Sequence, residues 1–339
     1  MFELYDRPCT RRAALRYAFA GVAAVAGLGL SGCGGTSSEG SALGAGTKAV
    51  KIGVLQLVEH AALDASNKGF VAALDASGLS YEIDQQNAQG DQSACQTIAH
   101  KFVSDGDTLI FAIATPAAQA VASATSEIPI VGTAITDFAA AGLVESNEKP
   151  GGNITGSSDL TPVDDQIDLL VRTLPKARQV GLLYCTAEAN SQIQIEMAER
   201  ALDARGIGHT RYTVASSNEI QQVVESAVGK VDALYAPTDN TIAAGMATVA
   251  MVAKENRIPT VVGCDTMVKD GGMMSYSINY EDLGRKAGEM AVKILTGKAT
   301  PAEMPIETLS ASECKLIVNA AMAEACGVDI SGLSADITV

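Results

Sequence analysis

Tryptophan is missing from all 339 residues, and aromatic residues as a whole make up only 4 %. The buried volume must therefore come from Ala, Val, Ile and Leu, the composition of strands covered on both faces. Also missing is any run of basic residues: the formal net charge is −15, with the acidic side chains dispersed. Without a cationic stripe to neutralise phosphates, nucleic acid is excluded as a partner, and the acidity serves solubility. Catalytic signatures are absent too, with no G-x-S-x-G elbow, no P-loop, no H-E-x-x-H and no C-x-x-C. The three His residues (His60, His100, His209) do not stand near Cys at zinc-ligand spacing, so neither a metal nor a cofactor is expected. Acid–base pairs need no motif, but nothing in the chain demands them. Binding without catalysis is the simpler reading.

What is present starts with an export signal. Arg7, Arg11, Arg12 and Arg16 precede fourteen uncharged, mostly apolar residues, Tyr17 to Leu30, a run too short for a comfortable membrane span. It ends Leu30-Ser31-Gly32-Cys33, which resembles the lipoprotein processing box; in such signals the peptide is cut before the Cys, which is then acylated. Residues 1–32 are thus expected to be a signal peptide and Cys33 a lipidation site. Thr10 to Arg16 also resembles a twin-arginine motif, with Ala14 in place of the usual Phe, so both export routes stay open. Residues 33–48, rich in Gly and Ser, form a flexible tether that holds a soluble body near a membrane surface. The G-x-G-x-x-G spelled by Gly27, Gly29 and Gly32 has no strand before it and no helix after it, and is rejected as a dinucleotide fingerprint. Once Cys9 is removed and Cys33 acylated, five Cys remain, an odd number; Cys314 and Cys326 are one possible bridge.

The rest of the chain is organised around Leu109 to Gln119, a buried strand that stops at Thr115 and feeds at once into a helix opening on Pro116. A helix start at the carboxyl end of a strand leaves N–H groups and partial positive charge pointing outward, a seat for a carboxylate or phosphate. Ile128-Pro129-Ile130-Val131-Gly132 follows as a strand, then Thr136-Asp137. The syntax recurs: strand Ala233 to Pro237, Thr238-Asp239-Asn240 opening a helix to about Asn256, strand Ile258 to Gly263, then Asp265. Alternating strands and helices at this pace predict an α/β fold of two Rossmann-like lobes with parallel sheets and a central ligand cleft. The first lobe is expected over 49–157 plus 281–303, the second over 158–280 plus 304–339, with Lys315 to Val318 as an edge strand.

Ligands of open α/β sheets bind outside the carboxyl ends of the strands. Lobe one offers Glu59, His60, Gln86, Asn87, Thr115, Ala117, Thr136 and Asp137 there; lobe two offers Thr186, Asn190, Ser191, Thr238, Asp239, Asn240, Asp265 and Tyr276. Hydroxyls, amides and carboxylates set among free helix N-termini suit a zwitterion, with N–H groups for its carboxylate and Asp or Glu for its ammonium. Thr115, Asn190, Thr238, Asp239 and Asn240 are also ordinary N-cap types. Asp265 is the sharper candidate, since it ends a strand with no evident helix to cap.

Several segments together resemble one family. Val54 to Asp64, Gln86 to Asp91, Ile113 to Gln119, Pro150 to Gly156 and Pro237 to Thr241 are similar to the substrate-binding proteins of ABC importers of the tryptophan/tyrosine type, and the likeness covers nearly all of 48–325. The resemblance implies a periplasmic-binding-protein-like fold with three interlobe crossovers (type I), closing about a hinge on a small ligand such as an aromatic amino acid. It also implies delivery by a monomeric lipoprotein, on the outer face of the cytoplasmic membrane, to a permease with its ATPase. Carried over by position, Glu59-His60, Thr115-Pro116-Ala117, Thr136-Asp137, Thr238 to Asn240 and Asp265 would line the pocket. A lipid-anchored sensor and an exported enzyme on the same scaffold are the alternatives.

Overall fold

Apolar strands alternate with amphipathic helices along the whole body, and they collect into two separate sheets. The computed structural model describes residues 49–309 and 313–339; the export signal, the tether and Cys33 lie outside the described residues. The first lobe begins β1 (Val50–Gln56), α1 (Ala61–Ser77), β2 (Tyr81–Asn87), α2 (Gln92–Asp105), β3 (Leu109–Ile113), α3 (Thr115–Ala124), β4 (Ile130–Ile135) and β5 (Ile154–Ser158). The chain then crosses to α4 (Val163–Thr173), β6 (Gln179–Cys185), α5 (Ala189–Ala204), β7 (Gly208–Val214), α6 (Ile220–Ala227), β8 (Ala233–Ala236), α7 (Asn240–Ala244), α8 (Met246–Glu255), β9 (Thr260–Val262), α9 (Asp265–Lys269) and β10 (Met274–Ser277). It returns as α10 (Tyr280–Leu295), which packs on α1, β4 and β5, and β11 (Glu307–Thr308). The last passage leads to β12 (Lys315–Val318), α11 (Ala320–Cys326) and β13 (Ile337–Thr338) in the second lobe. Three crossovers therefore join the lobes.

The sheets run β11-β5-β4-β3-β1-β2 and β13-β12-β10-β9-β8-β6-β7. Among the described residues every pairing is parallel except β10 with β12. Strand order reverses between β1 and β3 in one sheet and between β6 and β8 in the other, which puts a crevice at the carboxyl end of each. Full burial of β3, β4, β8 and β9 matches their continuous apolar sequence.

Four details depart from expectation. Glu307-Thr308 pairs with β5, so the last crossing falls after residue 308 rather than before 304. Lys315 to Val318 is not an edge, because β13 covers it. The helix expected over 240–256 breaks at Gly245, where a Cβ would collide with Ile220 Cδ1, so α6 packs into the gap. The bridge considered for Cys314 and Cys326 is not made, since Cys326 is a free thiol.

Lobe one is held by a close crossing of α1 and α10. A Cβ on Gly284 would overlap the Ser66 carbonyl, and one on Gly69 the Glu281 carbonyl, so each helix approaches the other's backbone through a glycine. Helix propensity alone would make Gly284→Ala stabilising by up to about 1 kcal/mol. The crossing predicts the opposite sign, a loss of roughly 1–3 kcal/mol from overpacking. Thermal and urea melts of the variant decide it; an unchanged or raised stability would show that the helices are not this close.

Candidate functional site

On lobe one the crevice is made by the ends of β1 and β3. Ala114, between β3 and α3, has φ 89° and ψ 152°, a backbone state that costs a non-glycine residue of order 1–3 kcal/mol. That turn swings Thr115 into the interior at 1 % exposure, with its Oγ1 buried and without a hydrogen-bond partner. Pro116 sits in the first turn of the ten-residue α3, where its missing N–H costs nothing. An unsatisfied hydroxyl beside the open N-terminus of a helix forms a donor site for an anionic group.

On lobe two the equivalent helix start is already occupied. Glu188, 3 % exposed, accepts from Asn240 N (3.1 Å), Asn240 Nδ2 (2.6 Å) and Asn190 Nδ2 (3.2 Å) on one oxygen, and from Thr241 N (2.9 Å) and Thr241 Oγ1 (2.8 Å) on the other. Asp239 caps α7 through Ile242 N (2.8 Å) and also takes Cys185 N (2.6 Å). Burial, and then the nearby charge of Glu188, push the Asp239 carboxyl up from its usual range. Thr238 is fully engaged by Gln194, which donates to its Oγ1 (2.6 Å) and accepts from its N–H (3.3 Å).

The lobes touch across the crevice. His60 Nε2 meets Asn240 Oδ1 at 3.2 Å, Gln194 Nε2 donates to Thr136 Oγ1 at 3.1 Å, and Gln92 Nε2 donates to the Ala187 carbonyl at 2.8 Å. Burial lowers the His60 pKa despite its bond to Asn240, so the ring is neutral at neutral pH. At the hinge, the buried Asp159 accepts from Tyr280 Oη (2.9 Å) and lies 3.4 Å from Thr136 Oγ1, which clasps the first crossover to the second. Two cavities lie between the lobes. One, of about 140 Å³, runs between Leu57, Val58, Gly90 and Pro116 on one side and Cys185, Glu188, Ser216 and Thr241 on the other. The second, of about 10 Å³, is lined by His60, Asp159, Thr238, Asn240, Cys264 and Tyr280. Among the described residues lining these two cavities there is no lysine or arginine.

The structure brings His60, Pro116, Thr238, Asp239 and Asn240 to the cavity walls, sets Thr136, Asn190 and Ser191 in the hydrogen-bonded network beside them, buries Thr115 and Ala117 on either side of Pro116, and puts the other expected residues elsewhere. Glu59 is exposed. Asn87 is exposed and its Oδ1 accepts from Gln89 N, although Gln89 and Gly90 themselves line the larger cavity. Asp137 caps a local turn through Ala139 N and Ala140 N and binds Asn147. Asp265 is not a bare strand end but the first residue of α9; it pairs with Lys269 at 2.5 Å and faces a different cavity, with Ser277 and Asp282. Tyr276 points toward Arg172 beside α4. Sequence reasoning missed Glu188, Gln194, Asp159 and Tyr280. Glu188 lies two residues from the expected Asn190, and that spacing was the available signal.

Two α/β lobes joined by three crossovers, with polar strand ends meeting at paired switch points, define a periplasmic-binding-protein-like solute receptor. The chain belongs to the ABC transporter substrate-binding protein family, whose model matches residues 51–333. A tyrosine-binding protein of Clostridioides difficile is 43 % identical over 293 residues, spanning 85 % of this chain and 84 % of that protein. The structure of an ABC domain in complex with L-Trp from Streptococcus pneumonia superposes with a TM-score of 0.82 at 37 % identity, covering 86 % of this chain and 100 % of that one. The ligand-free, open structure of a substrate-binding protein with adhesive properties from Clostridium difficile is 44 % identical, with 86 % and 99 % covered, yet its TM-score is 0.65. The chain thus superposes better on the complex than on the open form, although it is less identical to the former. Family and fold are those of solute-binding proteins.

Asp159 gives a pH signature. Burial raises its carboxyl from 3.8 to about 6, partly opposed by its bonds from Tyr280 and Thr136. A folded-state pKa above the unfolded one means stability is fully present below pH about 4 and is lost as pH rises to about 6, by about 3 kcal/mol. Asp159→Asn should remove this component. The melting-temperature difference between variant and wild type is then expected to shift in the variant's favour between pH 4 and 6 and to level off above. A difference that stays flat across that range would place the Asp159 titration elsewhere.

Proposed function

We propose that the protein captures an aromatic L-amino acid in this crevice, by closure of its lobes, and delivers it to an ABC permease driven by an ATPase. The observation that carries the reading is the polarity of the crevice. An unpartnered hydroxyl and a helix N-terminus on lobe one lie beside Pro116 on the wall of the larger cavity, whose lobe-two wall carries the buried Glu188, and among the described residues no lysine or arginine lines either cavity. A zwitterion satisfies both sides, whereas a phosphate or dicarboxylate would meet the acidic side unpaired. The larger cavity offers Leu57, Val58, Pro116 and Ala187 as an apolar slot for a ring. The tyrosine and tryptophan recognised by its relatives support the same ligand class. Nothing in this arrangement supplies a catalytic step, and the protein is read as a binder, not an enzyme.

Closure follows from differential affinity: contacts made by both lobes at once favour the closed state. A micromolar Kd needs about 8 kcal/mol net, within reach of two charge-assisted clusters and a buried ring. The processing-box sequence at Cys33 supports export and lipid anchoring to the outer face of the cytoplasmic membrane, with the tether carrying a monomeric body.

Calorimetric titration of the soluble form, residues 34–339, with L-tyrosine, L-tryptophan and L-phenylalanine tests the ligand class. At least one is expected to bind in the micromolar range or tighter, and Thr115→Val to weaken it by roughly tenfold or more. Thermal stabilisation by sugars alone would refute the reading. For the anchor, metabolic labelling with a fatty acid should mark the wild-type protein and leave Cys33→Ala unlabelled; equal labelling of both would exclude acylation at Cys33.

A further inference from the structure

We infer that Glu188 is a positioning residue that sets the polarity of the crevice: it fixes which way two amides face and so decides that the ligand's ammonium is taken on the Asn190–His60 side and its carboxylate at Thr115. This rests on the amino-acid reading above.

Only an amide nitrogen can face a carboxylate, because two acceptors at that range repel. Glu188 therefore holds Asn190 and Asn240 with their NH₂ groups inward, at 3.2 and 2.6 Å. Asn190 Nδ2 spends its remaining capacity on the Thr238 carbonyl at 3.1 Å. The Asn190 carbonyl oxygen is then turned away from Glu188, buried and without a partner. The Asn240 carbonyl oxygen is likewise turned outward, toward His60 Nε2 at 3.2 Å. Facing an oxygen that can only accept, Nε2 must carry the ring proton. In the neutral ring this leaves Nδ1 as a bare lone pair, and His60 Nδ1 is buried without a partner. One carboxylate, itself on the wall of the larger cavity, thus leaves two buried acceptors without partners, Asn190 Oδ1 and His60 Nδ1.

On the facing side, Thr115 Oγ1 and the start of α3 offer donors with nothing to receive them. The corresponding place on lobe two is closed to a ligand's carboxylate, since Glu188 occupies the N–H groups of Asn240 and Thr241. The ligand can lie in one sense only.

The test compares L-tyrosine with 3-(4-hydroxyphenyl)propanoate, and L-tryptophan with indole-3-propanoate, each pair differing only in the ammonium, on wild type and Glu188→Gln. A Gln at 188 donates as well as accepts, so the two Asn amides are free to turn over. Wild type should prefer the amino acid by roughly 100-fold, from two hydrogen bonds to a charged group, and the variant by about tenfold or less. A preference unchanged in the variant overturns the inference, whatever happens to absolute affinity. Should the variant not fold, ¹⁵N-histidine NMR of the wild-type protein decides, with His60 assigned by its loss in His60→Gln. An Nε2–H tautomer supports the network and an Nδ1–H tautomer refutes it. If neither amino acid binds wild type, the ligand reading fails, while the tautomer still reports on Glu188.

Discussion

Three carboxyl groups, on Glu188, Asp239 and Asp159, are buried along one crevice, and among the described residues no lysine or arginine lines its cavities. Removing such groups from water costs several kcal/mol each unless fixed dipoles replace the hydration. The chain supplies those dipoles from backbone N–H groups at the start of α7, from two asparagines, and from Tyr280 and Thr136 at the hinge. Much of the local structure exists to meet this demand: the abrupt turn after β8, the short α7, and the reach of α5 across to lobe one through Gln194. In a medium of low dielectric the same carboxyls attract a positive group far more strongly than they would in water.

Mechanics and electrostatics meet at the crossovers. The glycine-mediated contact of α1 with α10 packs the returning helix firmly onto lobe one, which leaves the segments between the lobes as the joints for the proposed closure. Asp159 sits in one of those segments and is bonded to Tyr280, the first residue of α10, where another of them ends. Thr136 then links this hinge to Gln194, and Gln194 links it to Thr238 at the crevice wall. The crevice wall and the crossover are thus joined by an unbroken chain of side-chain hydrogen bonds, Thr238–Gln194–Thr136–Asp159. The better superposition on a ligand complex than on an open form agrees with lobes drawn together by such contacts.

Most of the fold was legible because buried parallel strands announce themselves. Leu109 to Ile113 and Ala233 to Ala236 are continuous apolar runs, each followed within a few residues by a helix start. The turn at Thr115 could be read for the same reason. What could not be read depended on partners distant in sequence. Asp265 looked like a bare strand end because α9 is only five residues long and carries no capping signature. Gly245 gave no sign of a break, since Ile220, the side chain that packs against its bare Cα, belongs to another element. Glu188 looked like any solvent-facing acid. Its burial is decided by Asn240 and Thr241, which local pattern cannot bring to its side.

The repeated syntax of the two lobes also misleads in one informative way. Two equivalent helix starts facing each other would make a crevice with donors on both walls, suited to a ligand with an anionic group at each end. The sequence breaks the equivalence by one substitution of role: a side chain of the protein itself takes the anion's place on lobe two. Once Glu188 is seated there, its amide neighbours can only turn their oxygens outward, and a wall of donors becomes a wall of acceptors. A symmetric scaffold acquires a direction in this way, and a ligand with one positive and one negative end is the kind of molecule that a directed crevice can hold.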